Sequence, residues 1–476
     1  MVTATPKTVP VTFVIMGVTG DLSKKKLLPA LHRLLSDKKI DDILIVGIGT
    51  RETDEGNIIR ASRESVNDKY DAAWRKIEEN LFYFPLDFYD EERFAELATF
   101  IDQKEKEKGM PGNRLFYLTT LPQHFDVITR SLSKFGIAPH SDKRWSRVAF
   151  EKPFGHDLPS ARHLNNVVHS VFPEEQVFRV DHYLAKELVQ NIAILRFSNR
   201  IFEPIWSRHH IEHIQIIISE DYGTEGRGKF YDRYGAIRDV IQNHVLQLLA
   251  LVTMEEPAAL TPEHIHDRKL EILQSLKCKG GSHLVRGQYS GYRTEEGVDN
   301  KSTTETMAAL KLYVDTERWN NLPIYVLTGK KMSRKMTAIH IYFRSARCTL
   351  QKVCAYDQNV LTLQITPQRG VYLRLNGKAP GKREIAPIKL DFCHECTFGP
   401  NTPEAYENVF SDIIENNTSG FIRGDEIEAA WKFVDRLLAL DVPVVEYRPG
   451  ELPEASIQLL RHEGNAWDLS PRFPDA

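Results

Sequence analysis

The chain has 476 residues, is 42% hydrophobic and 27% charged, and carries a formal net charge of −3, a balance that argues against nucleic-acid or membrane-surface partners, which favour a basic excess. The composition is that of a soluble globular protein with enough apolar residues for two or three domain-sized cores, and no apolar run nears the ~18 residues that span a bilayer. Met1-Val-Thr-Ala-Thr-Pro-Lys7 lacks the apolar core of a secretion signal, and five cysteines are too few for a disulfide framework, so the sequence reads as cytoplasmic.

Val11 to Met16 is a short β-branched run, read as a buried parallel strand. Gly17-Val-Thr-Gly20-Asp21 follows, then a helical stretch from Leu22 to Ser36. Strand, glycine turn and helix are the arrangement that presents backbone N–H groups to a diphosphate, where a Cβ would obstruct close approach. Lys24, Lys25 and Lys26 in the first helical turn oppose the helix dipole, a cost that a nearby anion would offset. Ile43 to Ile48 is a second strand at βαβ distance, ending in Gly47-Ile-Gly-Thr-Arg-Glu52. An arginine there suits the 2′-phosphate of NADP and an acid suits the ribose diol of NAD, so Arg51 and Glu52 pull in opposite directions. Leu81 to Phe84, Arg114 to Leu118 and Arg147 to Phe150 are further strand candidates. Tyr117 and Glu151-Lys152-Pro153 then fall on the ligand side of the sheet, with Pro153 a candidate for a cis bond.

From Asp181, a candidate N-cap, an amphipathic run is read as a helix through Phe197. On it His182 and Lys186 would share a face beside Tyr183, forming either an anion pocket or an ordinary solvated helix start. Alternation in Ile211 to Ser219, Ile339 to Phe343 and Asn359 to Thr366 predicts antiparallel strands, with Tyr222 to Gly228 as a loop. Glu220 ends the first of these strands and could accept a sugar hydroxyl. Ala236 to Val252 is a helix whose apolar stripe carries His244, a general-base candidate if Asp181 or Asp239 orients it. Cys393-His-Glu-Cys396 lacks a second ligand pair for zinc, because Cys348 and Cys354 have the wrong spacing. It also lacks a thioredoxin-like context and reads as coincidence. The stretch from Glu446 reads as an extended surface tail.

Taken together, these stretches resemble the glucose-6-phosphate dehydrogenase family over nearly the whole length. Arg179-Val-Asp-His-Tyr-Leu-Ala-Lys186 is similar to the family signature Arg-Ile-Asp-His-Tyr-Leu-Gly-Lys. Glu151 to Gly155, Asn199 to Trp206, Gly223 to Gly228 and Ile237 to His244 match further family blocks. The resemblance implies a Rossmann-type α/β dinucleotide-binding domain (1–178) followed by an α+β domain with a large, mainly antiparallel sheet that binds substrate and dimerises (179–476). It implies His244 as the base at the C1 hydroxyl and Asp181 as its acid partner. His182, Tyr183 and Lys186 would hold the 6-phosphate, and Lys152, Glu220 and Asp239 the sugar hydroxyls. Lys330 and Lys335 match further cationic substrate positions, with Arg334 a rival for the second. Gly17, Thr19, Gly20, Asp21, Lys26, Tyr117 and Lys152 match the coenzyme site. Thr50 stands where most members carry the 2′-phosphate arginine, with Arg51 one place later, so NADP is expected and NAD stays open. Ala185 replaces the signature glycine, and Thr366 stands where some members place a glutamine. The implied reaction oxidises glucose 6-phosphate in a cytoplasmic homodimer or homotetramer that needs no metal. Alternatives are another sugar phosphate, such as an amino-sugar phosphate, and a non-catalytic coenzyme-sensing relative.

Overall fold

The computed structural model describes residues 9–66, 70–139, 144–345, 358–381, 385–399, 403–461 and 463–470. The chain divides into two compact units. One comprises Met1–Lys186, Thr261–Glu263 and Pro403–Glu428, and the other Glu187–Leu260, His264–Thr402 and Ala429–Ala476.

In the first unit, β1 (Val11–Met16), β2 (Ile43–Gly49), β3 (Leu81–Pro85), β4 (Arg114–Leu118), β5 (Ser146–Glu151) and β6 (Val177–Val180) form one sheet. All its pairs are parallel, in the order β3-β2-β1-β4-β5-β6. Helices cover both faces of such a sheet, so β1, β2 and β4 are buried at every position and their sequences run apolar without alternation. Among the described residues β6 is the one strand of this sheet that sequence reading missed. Its four residues include Arg179, which breaks the apolar run. That guanidinium is buried but donates to Glu174 at 2.7 Å and Asn165 at 3.0 Å, so its burial is compensated.

The segment 403–428 returns late in the chain to complete this core. Phe410 and Ile413, from the helix Ala405–Glu415, are fully buried, and Phe410 meets the Phe13 ring edge-on at 5.5 Å. Phe421 meets Phe178 at 4.9 Å. Arg147 donates to the carbonyls of Ile413 and Ile414, fixing where that helix ends.

The second unit holds a ten-stranded sheet of β7 (Ile211–Ser219), β8 (Leu276–Lys277), β9 (Leu284–Tyr289), β10 (Met307–Val314), β11 (Ile324–Gly329), β12 (Met336–Phe343), β13 (Val360–Thr366), β14 (Gly370–Lys378), β15 (Ile385–Cys393) and β16 (Val444–Tyr447). Its order is β15-β14-β13-β12-β7-β11-β10-β9-β16, with β8 paired to β10. Among the described residues only β7–β11 and β9–β16 are parallel, so the sheet is mainly antiparallel. The C-terminal stretch is not simply extended. It contains the helix Glu454–Arg461, because Ser456, Leu459 and Leu460 recur at spacing three and four and are buried. Cys393 and Cys396 are joined in a disulfide with Cα atoms 5.2 Å apart, which corrects the reading of the pair as coincidence. The helical turn His394–Phe398 that starts between them brings positions three apart together. Cys348 and Cys354 lie outside the described residues. Among the described residues no helix is long and apolar enough to cross a membrane.

Candidate active site

The glycine turn lies at the carboxyl end of β1. Gly17 has φ +101°, and a Cβ there would come within 2.5 Å of Thr119 Oγ1, so glycine is required on both conformational and packing grounds. The N–H groups of Gly17 and Val18 already donate to the Ile48 carbonyl, and that of Gly20 to the Gly17 carbonyl. An anion would therefore be met by the stretch from Thr19 to Ser23. Beyond it Ser23–Leu27 winds as a π-helix, with the Leu28 N–H donating to the Ser23 carbonyl. Gly20, Asp21, Thr50 and Arg51 are exposed. Lys25 bonds Asp21 at 3.0 Å and, with Lys24 and Arg51 nearby, holds its carboxyl below the usual range. Arg51 thus stands beside the turn. Lys26 reaches Glu404 of the returning segment at 3.4 Å. The exposed turn, its intolerance of side chains and its place in this strand order fit a dinucleotide.

At the ends of β4 and β5, the buried Tyr117 donates to Glu151 Oε1 at 2.7 Å, and Tyr406 donates to the same oxygen at 3.2 Å. Loss of hydration outweighs both hydroxyls and pushes the Glu151 carboxyl up to about 7. Lys152 follows, and the Lys152–Pro153 bond is cis. Sequence reading placed Glu151 on the ligand side of the sheet without giving it a role, and did not pick out Tyr406. Glu151 sits inside a quoted block, whereas Tyr406 carries no local signal.

The stretch after β6 is not the start of a helix. Asp181 Oδ1 accepts the Tyr183 N–H at 2.9 Å, the Leu184 N–H donates to the Asp181 carbonyl, and the Lys186 N–H to that of Tyr183. These turns replace helical bonds, and the helix begins only at Glu187. His182 and Lys186 therefore do not share a helix face. The Lys186 ammonium instead lies 3.6 Å from the Tyr183 ring centre, and the His182 and Tyr183 rings are 4.9 Å apart. Leu184 and Ala185 are buried, and Asn408 Nδ2 donates to the Ala185 carbonyl at 3.0 Å. The added methyl of Ala185 is accommodated inside the core.

In the second unit, β7 and β11 run parallel with Ser219 opposite Gly329, so both strands deliver their next residues to one place. Lys330 there bonds Glu220 at 2.6 Å, and Tyr222 donates to the other Glu220 oxygen at 2.7 Å. The Lys330 ammonium lies 5.1 Å from the Tyr222 ring and 4.9 Å from that of Tyr231, with Lys335 5.8 Å from Tyr222. Loss of hydration, with the charges of Asp239, Glu305 and Glu220 nearby, raises the Tyr231 hydroxyl well above its usual value. Glu220, Asp239, Lys330 and Lys335 are thus gathered around two tyrosines. Arg334 is exposed. Thr366, at the end of β13, pairs with Thr337, two positions beyond Lys335.

His244 is 3% exposed and lies in Ile237–Val245, wound as a π-helix in which the Leu246 N–H reaches the Ile241 carbonyl. The Asn243 side chain accepts the His244 N–H at 2.6 Å and donates to the Asp239 carbonyl at 3.1 Å. The wider turn displaces His244 from the ordinary helical stripe, a device frequent at functional sites.

Residues 14–191 match the family described as glucose-6-phosphate dehydrogenase, NAD binding domain, and residues 193–468 match its C-terminal domain. The chain belongs to the glucose-6-phosphate dehydrogenase family. It is 40% identical to glucose-6-phosphate 1-dehydrogenase 2 of Mycobacterium bovis, over 96% of this chain and 94% of that protein. It is 37% identical to the glucose-6-phosphate 1-dehydrogenase of Bacillus subtilis, over 95% and 97%. A solved glucose-6-phosphate dehydrogenase in complex with its substrate glucose-6-phosphate superposes with a TM-score of 0.90 at 31% identity, covering 97% of this chain and 99% of that one. The Rossmann-type sheet and the large antiparallel sheet are thus family features.

Proposed function

We propose that this chain oxidises D-glucose 6-phosphate at C1 to 6-phospho-D-glucono-1,5-lactone, with NADP as hydride acceptor. The observation that carries the reading is His244: a nearly fully buried imidazole in a π-wound segment, within an intact Ile237 to His244 block. Hydride can leave C1 only if the C1 hydroxyl gives up its proton, and a neutral imidazole suits that task near physiological pH. Asp181 is its proposed acid partner, orienting the ring and stabilising its charged form. His182, Tyr183 and Lys186 are proposed to hold the phosphate, a role suited to the turn geometry and to the ammonium beside Tyr183. Lys152, Glu220, Asp239, Lys330 and Lys335 are assigned to the sugar. The Lys330–Glu220 pair presents a donor and an acceptor to hydroxyls at once.

Gly17, Thr19, Gly20, Asp21, Lys26, Thr50, Arg51, Tyr117 and Lys152 are assigned to the coenzyme. For Tyr117 the role is indirect, through Glu151, since its side chain is buried. A second reading, preference for NAD, is favoured by Thr50 and Glu52, whereas Arg51 beside the glycine turn supports NADP. We assign the coenzyme to 1–178 and the sugar phosphate and self-association to 179–476. Exposed Ile388 (45%) and Leu390 (57%) on the edge strand β15 suit a homodimer or homotetramer in the cytoplasm. Steady-state rates with glucose 6-phosphate, glucosamine 6-phosphate and glucose, each with NADP and NAD, test the assignment. A preference for another sugar would overturn it.

A further inference from the structure

The strand order separates the two halves of a dinucleotide. In a β3-β2-β1-β4-β5-β6 sheet they fall on either side of the β1–β4 junction, and Arg51 at the end of β2 marks the ribose-phosphate half. The nicotinamide half is then edged by the ends of β4, β5 and β6. Glu151 is the last residue of β5, Tyr117 lies in β4, and Asp181 directly follows β6. Both tyrosine hydroxyls converge on one Glu151 oxygen. The charges that act on this carboxyl are the neighbouring Lys152 and the like-charged Asp181, with Tyr117 and Tyr406 as the facing titratable groups. Loss of hydration and the like charge of Asp181 both disfavour the ionised form of the Glu151 carboxyl. Its balance point at about 7 leaves it responsive to a single added positive charge.

Building on the coenzyme reading above, we propose that Glu151 is the counter-charge that reads the redox state of the nicotinamide. Glu151 gives up its proton to solvent when the oxidised, cationic ring binds. It takes a proton back once hydride has made the ring neutral. Only the O–H bond of Glu151 is broken and remade. Oxidised coenzyme should therefore bind more tightly as pH rises through neutrality, by up to about tenfold per unit of pKa displaced, while reduced coenzyme should not.

The test is calorimetric titration of the full-length protein with NADP and NADPH at pH 7, in buffers of different ionisation enthalpy. Wild type should release about half a proton per site with NADP and almost none with NADPH. Glu151→Gln should bind both without release. Tyr406→Phe removes one donor to the carboxylate, so the pH of half-maximal release should move upward. Equal release with both coenzymes, equal release from Glu151→Gln, or no release from wild type would overturn the inference while sparing the coenzyme assignment. Absence of binding by either NADP or NAD would overturn both.

Discussion

The two units place polar chemistry on their sheets in opposite ways. In the first, the central strands β1, β2 and β4 are buried at every position, and most candidate groups sit at or past a strand end, where backbone conformation decides the geometry. In the second, the candidates form a side-chain cluster created by register: Glu220 and Lys330 meet because β7 and β11 run parallel inside an otherwise mainly antiparallel sheet. Backbone-built sites depend on glycine and tolerate little substitution, whereas charge-built sites depend on partners that must be removed or kept together. His244 belongs to neither type, since an unusual helical winding presents it.

The largest effect is expected at His244. His244→Asn should lower kcat by on the order of 10³-fold while sugar-phosphate binding is kept, as read by steady-state kinetics alongside a binding isotherm. Unchanged turnover would remove the base from the second unit. Gly17→Ala comes next, since it forces a side chain into a positive φ and against Thr119. Coenzyme affinity should fall by roughly 10- to 100-fold and stability by about 1–3 kcal/mol. An alanine accepted without loss would break the claim that the first unit's site is backbone-built. Lys330→Met leaves Glu220 without its ion-pair partner, and KM for the sugar phosphate should rise by roughly tenfold, more than kcat falls. A fall in kcat with KM unchanged would instead place the Lys330 interaction in the transition state alone. Arg51→Ala should lower kcat/KM with NADP by about tenfold relative to NAD, and equal loss with both coenzymes would show that Arg51 does not read the 2′-phosphate.

The smallest effect concerns stability. Burial opposes ionisation of Glu174, but His169, Arg179 and the Gly424 N–H outweigh it and hold the carboxyl down to about 2, from an ordinary value of 4.5. Its folded value is depressed, so its contribution is present above about 4.5 and is lost as pH falls toward 2. Glu174→Gln should therefore cost on the order of 1–2 kcal/mol at pH 7, and the difference should shrink in acid unfolding series. A constant difference across pH would mean that the charge is not what stabilises β6.

The sequence by itself determined much of this protein. Five of the six parallel strands were legible, since burial on both faces writes a continuous apolar run. The glycine turn was equally plain, since only glycine meets both demands at position 17. The blocks around Asp181 and His244 sufficed to identify the family. Tertiary structure decided the rest. Arg179 hides β6 until Glu174 and Asn165 are brought to it. The side chain of Asp181 accepts the Tyr183 N–H and turns a predicted helix start into a series of turns. Glu151 acquires its environment from Tyr406, 255 residues later in the chain. Hydrophobic periodicity reports which face of an element is covered, but not which distant segment covers it.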